Sequence, residues 1–233
     1  MKAILLHHAG GDRYAFKRVE EKLSAHFATK SIELPGRGDR FDEKRLTNFE
    51  FALHDMLTHV EPEINEPYFF VGVSMGVVFA YELTHLLQAE GHPLPRALFL
   101  ASRRSEEDYS DLQRFALSEK EVFWEHILTY DDKSRQLLHH PEILEVIEPV
   151  LRADFSILED YHDTYALKPK LPVPAYILYG AEDLHKNNEQ TSANWQKHFT
   201  INIEVKIFDG GHFFLYENEK AAAYIISKLK GND

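Results

Sequence analysis

The stretch "FFVGVSMGVVFAYEL", from Phe69 to Leu83, decides how this chain is read. Its first residues form a continuous apolar run, the pattern of a strand covered on both faces. From Met75 onward apolar residues return at helical spacing. Ser74 stands at the junction, with Gly72 two residues before it and Gly76 two after. A G-x-S-x-G turn in this setting is strained at the serine, and the flanking glycines let strand and helix approach without a Cβ clash. The hydroxyl is then held above the sheet edge as a candidate nucleophile. The amide of Met75, at the helix start, can donate to a developing oxyanion. A turn that merely needs a small residue is the plainer alternative, and the strand and helix on either side weigh against it.

Working outward, short β-rich runs alternate with longer helical patterns. The runs are "KAILLH" (2–7), "KSIEL" (30–34), "PYFFVGV" (67–73), "RALFLAS" (96–102), "AYILYGA" (175–181) and "IEVKIF" (203–208). Helices are expected at about 12–28, 48–62, 75–90, 186–198 and 217–230, with Thr47 capping the second and Gly91 ending the third. This alternation implies an α/β fold: a mostly parallel sheet, right-handed crossovers and helices on both faces. It breaks between residues 103 and 170, where no strand is convincing. There Ser118 and Glu121 read as a capping box. Ile143, Ile147, Leu151, Phe155 and Leu158 recur at helical spacing, with a kink expected at Pro149. The expected organisation is one domain over 1–233, with a core of 1–102 and 171–233 and a helical insertion, 103–170, capping the carboxyl edge of the sheet.

Bulk composition narrows the function. A length of 233 residues suits one domain with a sizeable core, and no cysteine is present, which excludes thiol nucleophiles and cysteine-ligated metals. The net charge of −12 argues against nucleic acid. No run is long enough to span a bilayer and the N-terminus does not read as a signal peptide, so a cytoplasmic protein is expected. The charge is uneven: residues 1–50 carry ten Lys/Arg against eight Asp/Glu, so the remainder holds the acidic excess.

A serine hydroxyl needs a base, and the base an acid to hold its tautomer. On this kind of sheet the chain order is serine, acid, histidine. His212 follows the last strand in "FDGGHFFLYE" and is the candidate base. For the acid, "YILYGAEDLH" offers Glu182 and Asp183, with Asp183 preferred; Glu106, Glu107 and Asp108 after the preceding strand are the alternatives. The second oxyanion donor should come from "HHAGGDRYAF", where Gly10 and Gly11 free the backbone to turn amides inward, and His7 and His8 belong to that loop. No G-x-G-x-x-G or P-loop is present, and His139-His140 lack metal-ligand spacing with a carboxylate, so neither metal nor cofactor is expected.

Together "HHAGGDRYAF", "ELPGRGDRF", "GVSMG", "LRADFSILEDY" and "GGHFFL" resemble the type II thioesterases, stand-alone α/β-hydrolases of nonribosomal-peptide and polyketide assembly lines. The resemblance spans nearly the whole chain and implies an α/β-hydrolase fold with a helical lid at 103–170. It implies nucleophile Ser74, acid Asp183, base His212, and oxyanion amides at Met75 and Ala9. The chain departs from the family pattern at Val73, where histidine is usual, and at His7-His8, where proline-histidine is usual. The implied reaction is hydrolysis of acyl thioesters on the phosphopantetheine arm of an acyl or peptidyl carrier protein, by a monomer that meets its partner transiently. A general carboxylesterase or acyl-CoA thioesterase, and a hydrolase-like binding protein without turnover, are the competing expectations. Carrier proteins are typically acidic, so docking calls for a local basic patch. Arg13, Lys17 and Arg18 are the expected one. Arg37 and Arg40, set among glycines and acids, are expected to brace loops instead.

Overall fold

A computed structural model describes residues 1–109, 114–130, 135, 138–183 and 189–230. Strands β1 (Lys2–Leu6), β2 (Ala28–Ile32), β3 (Tyr68–Val73), β4 (Leu98–Ala101), β5 (Ala175–Gly180) and β6 (Glu204–Phe208) form one sheet in the order β2-β1-β3-β4-β5-β6. Every neighbouring pair is parallel. The continuous apolar runs are explained by two layers. Ile4, Leu6, Tyr68 and Phe70 face one core, under α2 (Phe49–Val60) and α3 (Met75–Ala89). Ala3, Leu5, Phe69, Val71 and Val73 face the other, under α1 (Lys17–Leu23) and α8 (Glu219–Lys230). Each fully buried Leu, Ile or Phe contributes about 1.5–3 kcal/mol, so the central strands carry most of the sheet's apolar stabilisation.

The chain runs from β1 out to β2, then returns past β1 to β3, which makes the β1/β3 boundary the topological switch point. Such a crevice at the carboxyl ends of the strands is where open α/β sheets hold ligands. Ser74, directly after β3, and the glycine loop directly after β1 both stand there.

Between β4 and β5 the described regular elements are a short 3₁₀ turn at Glu106–Tyr109, α4 (Lys120–Ile127) and α5 (Pro141–Thr164). Pro149 lies inside the continuous α5. The stripe expected on this helix faces inward in its middle: Leu151 and Phe155 join Ala116, Phe123, Trp124, Ile127 and Leu144 in a third apolar cluster, whereas Ile143 is exposed. The far end of α5 does different work. Ile157 and Tyr161 pack into the main core, Tyr161 with its ring 4.6 Å from that of Phe49.

Several local expectations are corrected. The cap of α2 is Asn48 and not Thr47, with Asn48 Oδ1 accepting from Phe51 N at 3.1 Å; Asp160 of α5 also accepts from Phe49 N. Ser118 forms no capping box, because α4 starts one residue later, and its hydroxyl donates to the Phe115 carbonyl. The helix expected at 12–28 is a 3₁₀ turn at Arg13–Phe16 followed by α1, and the edge strand β2 begins at Ala28, two residues early. That shift follows the register with β1, in which Lys2 pairs with Ala28. The helix expected at 217–230 is α8, from Glu219; a separate one-turn α7 (Phe214–Glu217) precedes it, and Asn218 between them accepts from Lys220 N. Gly91 does end α3, at φ +77°, with the paired return bonds of a Schellman turn. The helix expected at about 186–198 is seen as α6 (Glu189–Gln196), and its first residues lie outside the described ones.

Candidate active site

Ser74 has φ +53°, a backbone conformation that non-glycine residues rarely adopt. The reason both flanking residues are glycine is steric. A Cβ on Gly72 would lie 2.4 Å from the Gly76 carbonyl oxygen, and one on Gly76 would lie 2.0 Å from the carbonyl oxygen of Leu6. Strand β3 can therefore turn straight into α3 while α3 passes over the end of β1. Ser74 is half-buried at the N-terminus of α3 and lines a cavity of about 190 Å³.

His212, in the loop after β6, lines the same cavity. Its Nδ1 donates to Asp183 Oδ2 at 2.9 Å, and both side chains are buried, at 3% and 2% exposure. A carboxylate can only accept, so the proton sits on Nδ1 and a neutral imidazole leaves Nε2 able to take one. Three constraints hold the loops of this pair together. Gly180 packs its backbone against the Gly210 and Gly211 carbonyls, Glu182 N donates to the Gly210 carbonyl, and Ser102 Oγ donates to the carbonyl of His212 itself at 2.5 Å. Ser102, at the end of β4, has the other positive φ outside glycine, +60°. No sequence motif pointed to it.

The alternative acids lie elsewhere. Glu106 engages Arg103 and His162, Glu107 engages His198 and Tyr165, and Asp108 accepts from Asn194. Glu182 is exposed.

The loop after β1 brings His8, Ala9 and Gly10 to the cavity wall. Its glycine amides are engaged within the protein: Gly11 N donates to the His8 carbonyl, and Gly10 N donates to Asp154 of α5. His8 Nδ1 lies 2.7 Å from the Tyr216 hydroxyl, and its ring is tilted against Phe213. Burial, reinforced by neighbouring His7 and His212, pushes His8 down to about 3; burial and the nearby Arg37 do the same for His7. The far wall comes from the segment between β4 and β5, including Trp124, Ile127, Tyr130, Ile147, Leu151, Phe155 and Leu158. The Tyr130 ring sits 4.9 Å from that of His212. Val73, the departure beside the serine, is fully buried in the second apolar core and does not line the cavity.

Of the arginines, Arg37 pairs with Asp154 and Arg40 with Asp55 and Glu43, bracing loops as expected. Arg103 is buried against Glu106 and Tyr109. Arg13 forms an ion pair with Asp39, and Lys17 and Arg18 are exposed on α1. His139 and His140 are exposed.

The model of the thioesterase domain family matches residues 2–231. The chain belongs to that family. The match covers the sheet, the serine turn and the histidine loop alike, and it makes the protein a hydrolase acting on thioester bonds. Thioesterase PikA5 of Streptomyces venezuelae is 28% identical over 92% of this chain and 75% of its own length. The crystallised RedJ thioesterase of the prodiginine pathway in Streptomyces coelicolor superimposes with a TM-score of 0.86 at 26% identity, over 99% of this chain and 89% of RedJ. Linear gramicidin dehydrogenase LgrE of Brevibacillus parabrevis is 28% identical over 96% of this chain and 86% of its own. After its first strand this chain reads "HHAGGD", without a G-x-G-x-x-G.

The two loop histidines yield a measurable consequence. With native values near 3 against about 6.5 in the unfolded chain, both rings stay neutral in the folded state as pH falls through 6.5. The unfolded state gains those protons first, so this pair makes folding less favourable toward acid. In an NMR titration from pH 8 to pH 5, the ring resonances that disappear in His7→Asn and His8→Asn variants should not move. A titration midpoint near 6 for either would contradict the burial described.

Proposed function

We propose that this thioesterase hydrolyses acyl groups carried on the phosphopantetheine arm of carrier proteins, through an acyl-enzyme on Ser74. The carrying observation is the buried His212–Asp183 pair beside a strained serine on one apolar-walled cavity. Ser74 Oγ attacks the thioester carbonyl carbon and passes its proton to His212 Nε2. The tetrahedral oxyanion is met by the Met75 and Ala9 amides, and Asp183 stabilises the imidazolium. The C–S bond breaks, and the thiol leaves with the proton from His212. Water then gives a proton to His212 and attacks the acyl-serine ester; the C–O bond to Ser74 breaks, His212 returns that proton to Ser74 Oγ, and the acid leaves. A thioester carbonyl is electrophilic enough for this sequence without a metal.

The helical segment 103–170 acts as the lid in this reading. Trp124, Tyr130, Leu151 and Phe155 wall the acyl group from water, which strengthens the electrostatics of the oxyanion site. The acyl-CoA alternative shares all of these steps and differs only in what presents the thiol. Relatives named for gramicidin S and cadicidin biosynthesis favour a carrier, as does a basic patch on an otherwise acidic chain. Arg13, Lys17 and Arg18 provide that patch; Arg13 is partly committed to Asp39, which leaves Lys17 and Arg18 as the principal contacts. The protein would work as a cytoplasmic monomer that meets the carrier only transiently.

Ser74→Ala should leave a folded protein without thioester hydrolysis, and Asp183→Asn should lower turnover by roughly 10⁴, as loss of the orienting acid does in a serine triad. Glu182→Gln should be close to wild type. Turnover surviving in Ser74→Ala, or loss confined to Glu182→Gln, would remove this assignment.

Carrier recognition is tested separately. Lys17→Glu with Arg18→Glu should raise KM for an acyl-carrier protein severalfold and leave kcat/KM for the same acyl group on N-acetylcysteamine unchanged. Equal turnover of acyl-CoA and acyl-carrier, both insensitive to these changes, would favour the acyl-CoA alternative.

A further inference from the structure

Ala9 lies between two peptide units, and each is held by a buried side chain. On the amino side, the His8 carbonyl accepts from His7 Nδ1 at 2.8 Å and from Gly11 N at 3.0 Å. A carbonyl cannot donate, so the His7 proton is on Nδ1. Leu34 N donates to His7 Nε2 at 3.4 Å, which fits the same neutral tautomer. With both nitrogens engaged and 1% of its surface exposed, His7 is poorly placed to shuttle protons. Its geometry acts on the backbone instead. In a planar trans peptide the N–H points opposite to the C=O. The two bonds that aim the His8 carbonyl therefore also aim the Ala9 amide.

On the carboxyl side, Gly10 N donates to Asp154 Oδ2 at 2.7 Å. Asp154 is fully buried and receives two parallel bonds of 2.6 Å from the Arg37 guanidinium, which also donates to the Gly11 carbonyl at 3.1 Å. Removing one partner from such a pair leaves an uncompensated buried charge, so the clamp is stiff. Gly10 itself sits so close to α5 that a Cβ would lie 2.5 Å from Leu151 Cδ2. A loop with two adjacent glycines would otherwise be the softest part of the site.

We propose that His7 and Asp154 are positioning residues that fix the Ala9 amide through its two flanking peptide units, so that the donor is aimed before substrate arrives. The inference rests on the reading of Ala9 as an oxyanion donor. It explains why "PGRGDR" and "LRADF", far apart in sequence, each supply one half of a buried pair. It also gives a task to the histidine at position 7. An oxyanion donor contributes through its prior orientation, and losing one outright costs about 10²–10³ in turnover; releasing its support should cost less.

The test uses the full chain and an acyl N-acetylcysteamine thioester. His7→Leu removes both ring bonds, and His7→Asn restores a donor at the position of Nδ1. The expected result is a fall in kcat of about tenfold or more for His7→Leu with KM changed less than about twofold, recovered in His7→Asn to within a fewfold of wild type. Affinity for an acyl trifluoromethyl ketone, which forms a tetrahedral adduct, should fall in parallel with kcat. Asp154→Asn weakens the clamp on the other peptide unit and should show the same kcat-selective loss, which keeps the inference testable if His7→Leu does not fold. Folded His7→Leu with wild-type kcat, a loss that His7→Asn does not restore, or a loss residing in KM would overturn it. Ser74→Ala run alongside separates the two levels, since turnover surviving there removes the reading beneath the inference and not the positioning alone.

Discussion

The carboxyl edge of the sheet is built by backbone meeting backbone where no side chain fits. Gly76 lies against the Leu6 carbonyl, Gly72 against the start of α3, and Gly180 against the Gly210–Gly211 backbone. These approaches bring the ends of β1, β3, β5 and β6 close enough for a serine, a histidine and an aspartate from distant parts of the chain to converge. The same closeness leaves Ser74 with a positive φ. Strain of this kind costs of order 1–3 kcal/mol and persists only where the surroundings over-determine it. Here two apolar layers and a parallel sheet supply that rigidity.

Around this edge, the segment between β4 and β5 is fastened by polar bonds as well as by apolar packing. Asp154 accepts from Gly10 N of the β1 loop and pairs with Arg37, Asp160 accepts from the Phe49 amide at the start of α2, and the Tyr161 ring is tilted against that of Phe49. These three residues belong to the second half of α5, where Asp154 is buried and Asp160 half-buried. The cavity wall draws on both halves of the helix, with Ile147 and Leu151 from the first and Phe155 and Leu158 from the second. One helix thus supplies both part of the cavity wall and the bond that holds the β1 loop.

Much of this was legible in the sequence. The apolar runs marked the central strands most plainly, because strands covered on both faces cannot hide their composition. The serine turn, Asp183 and His212 could be located because chain order on such a sheet constrains which loops meet. Ends of elements were harder to read. The cap of α2 moved from Thr47 to Asn48, and Ser118 turned its hydroxyl to Phe115, since which of two adjacent polar residues caps a helix depends on tertiary partners such as Asp160. Edge strand β2, with alternating exposure, lacked the pattern that marks the central strands. Ser102 and the Arg37–Asp154 pair joined distant segments through bonds with no periodic signal, although both partners of the pair sit in segments that carry the family resemblance.

In the proposed reaction Ser74 is the hydroxyl that this edge holds out and His212 the base that activates it. Labelling with a fluorophosphonate followed by peptide mapping tests this most directly. One equivalent should be incorporated, on the peptide containing Ser74, in step with loss of thioester hydrolysis, and the labelling rate should fall by at least about a thousandfold in His212→Ala. Label on another residue, or hydrolysis that survives full modification of Ser74, would contradict it.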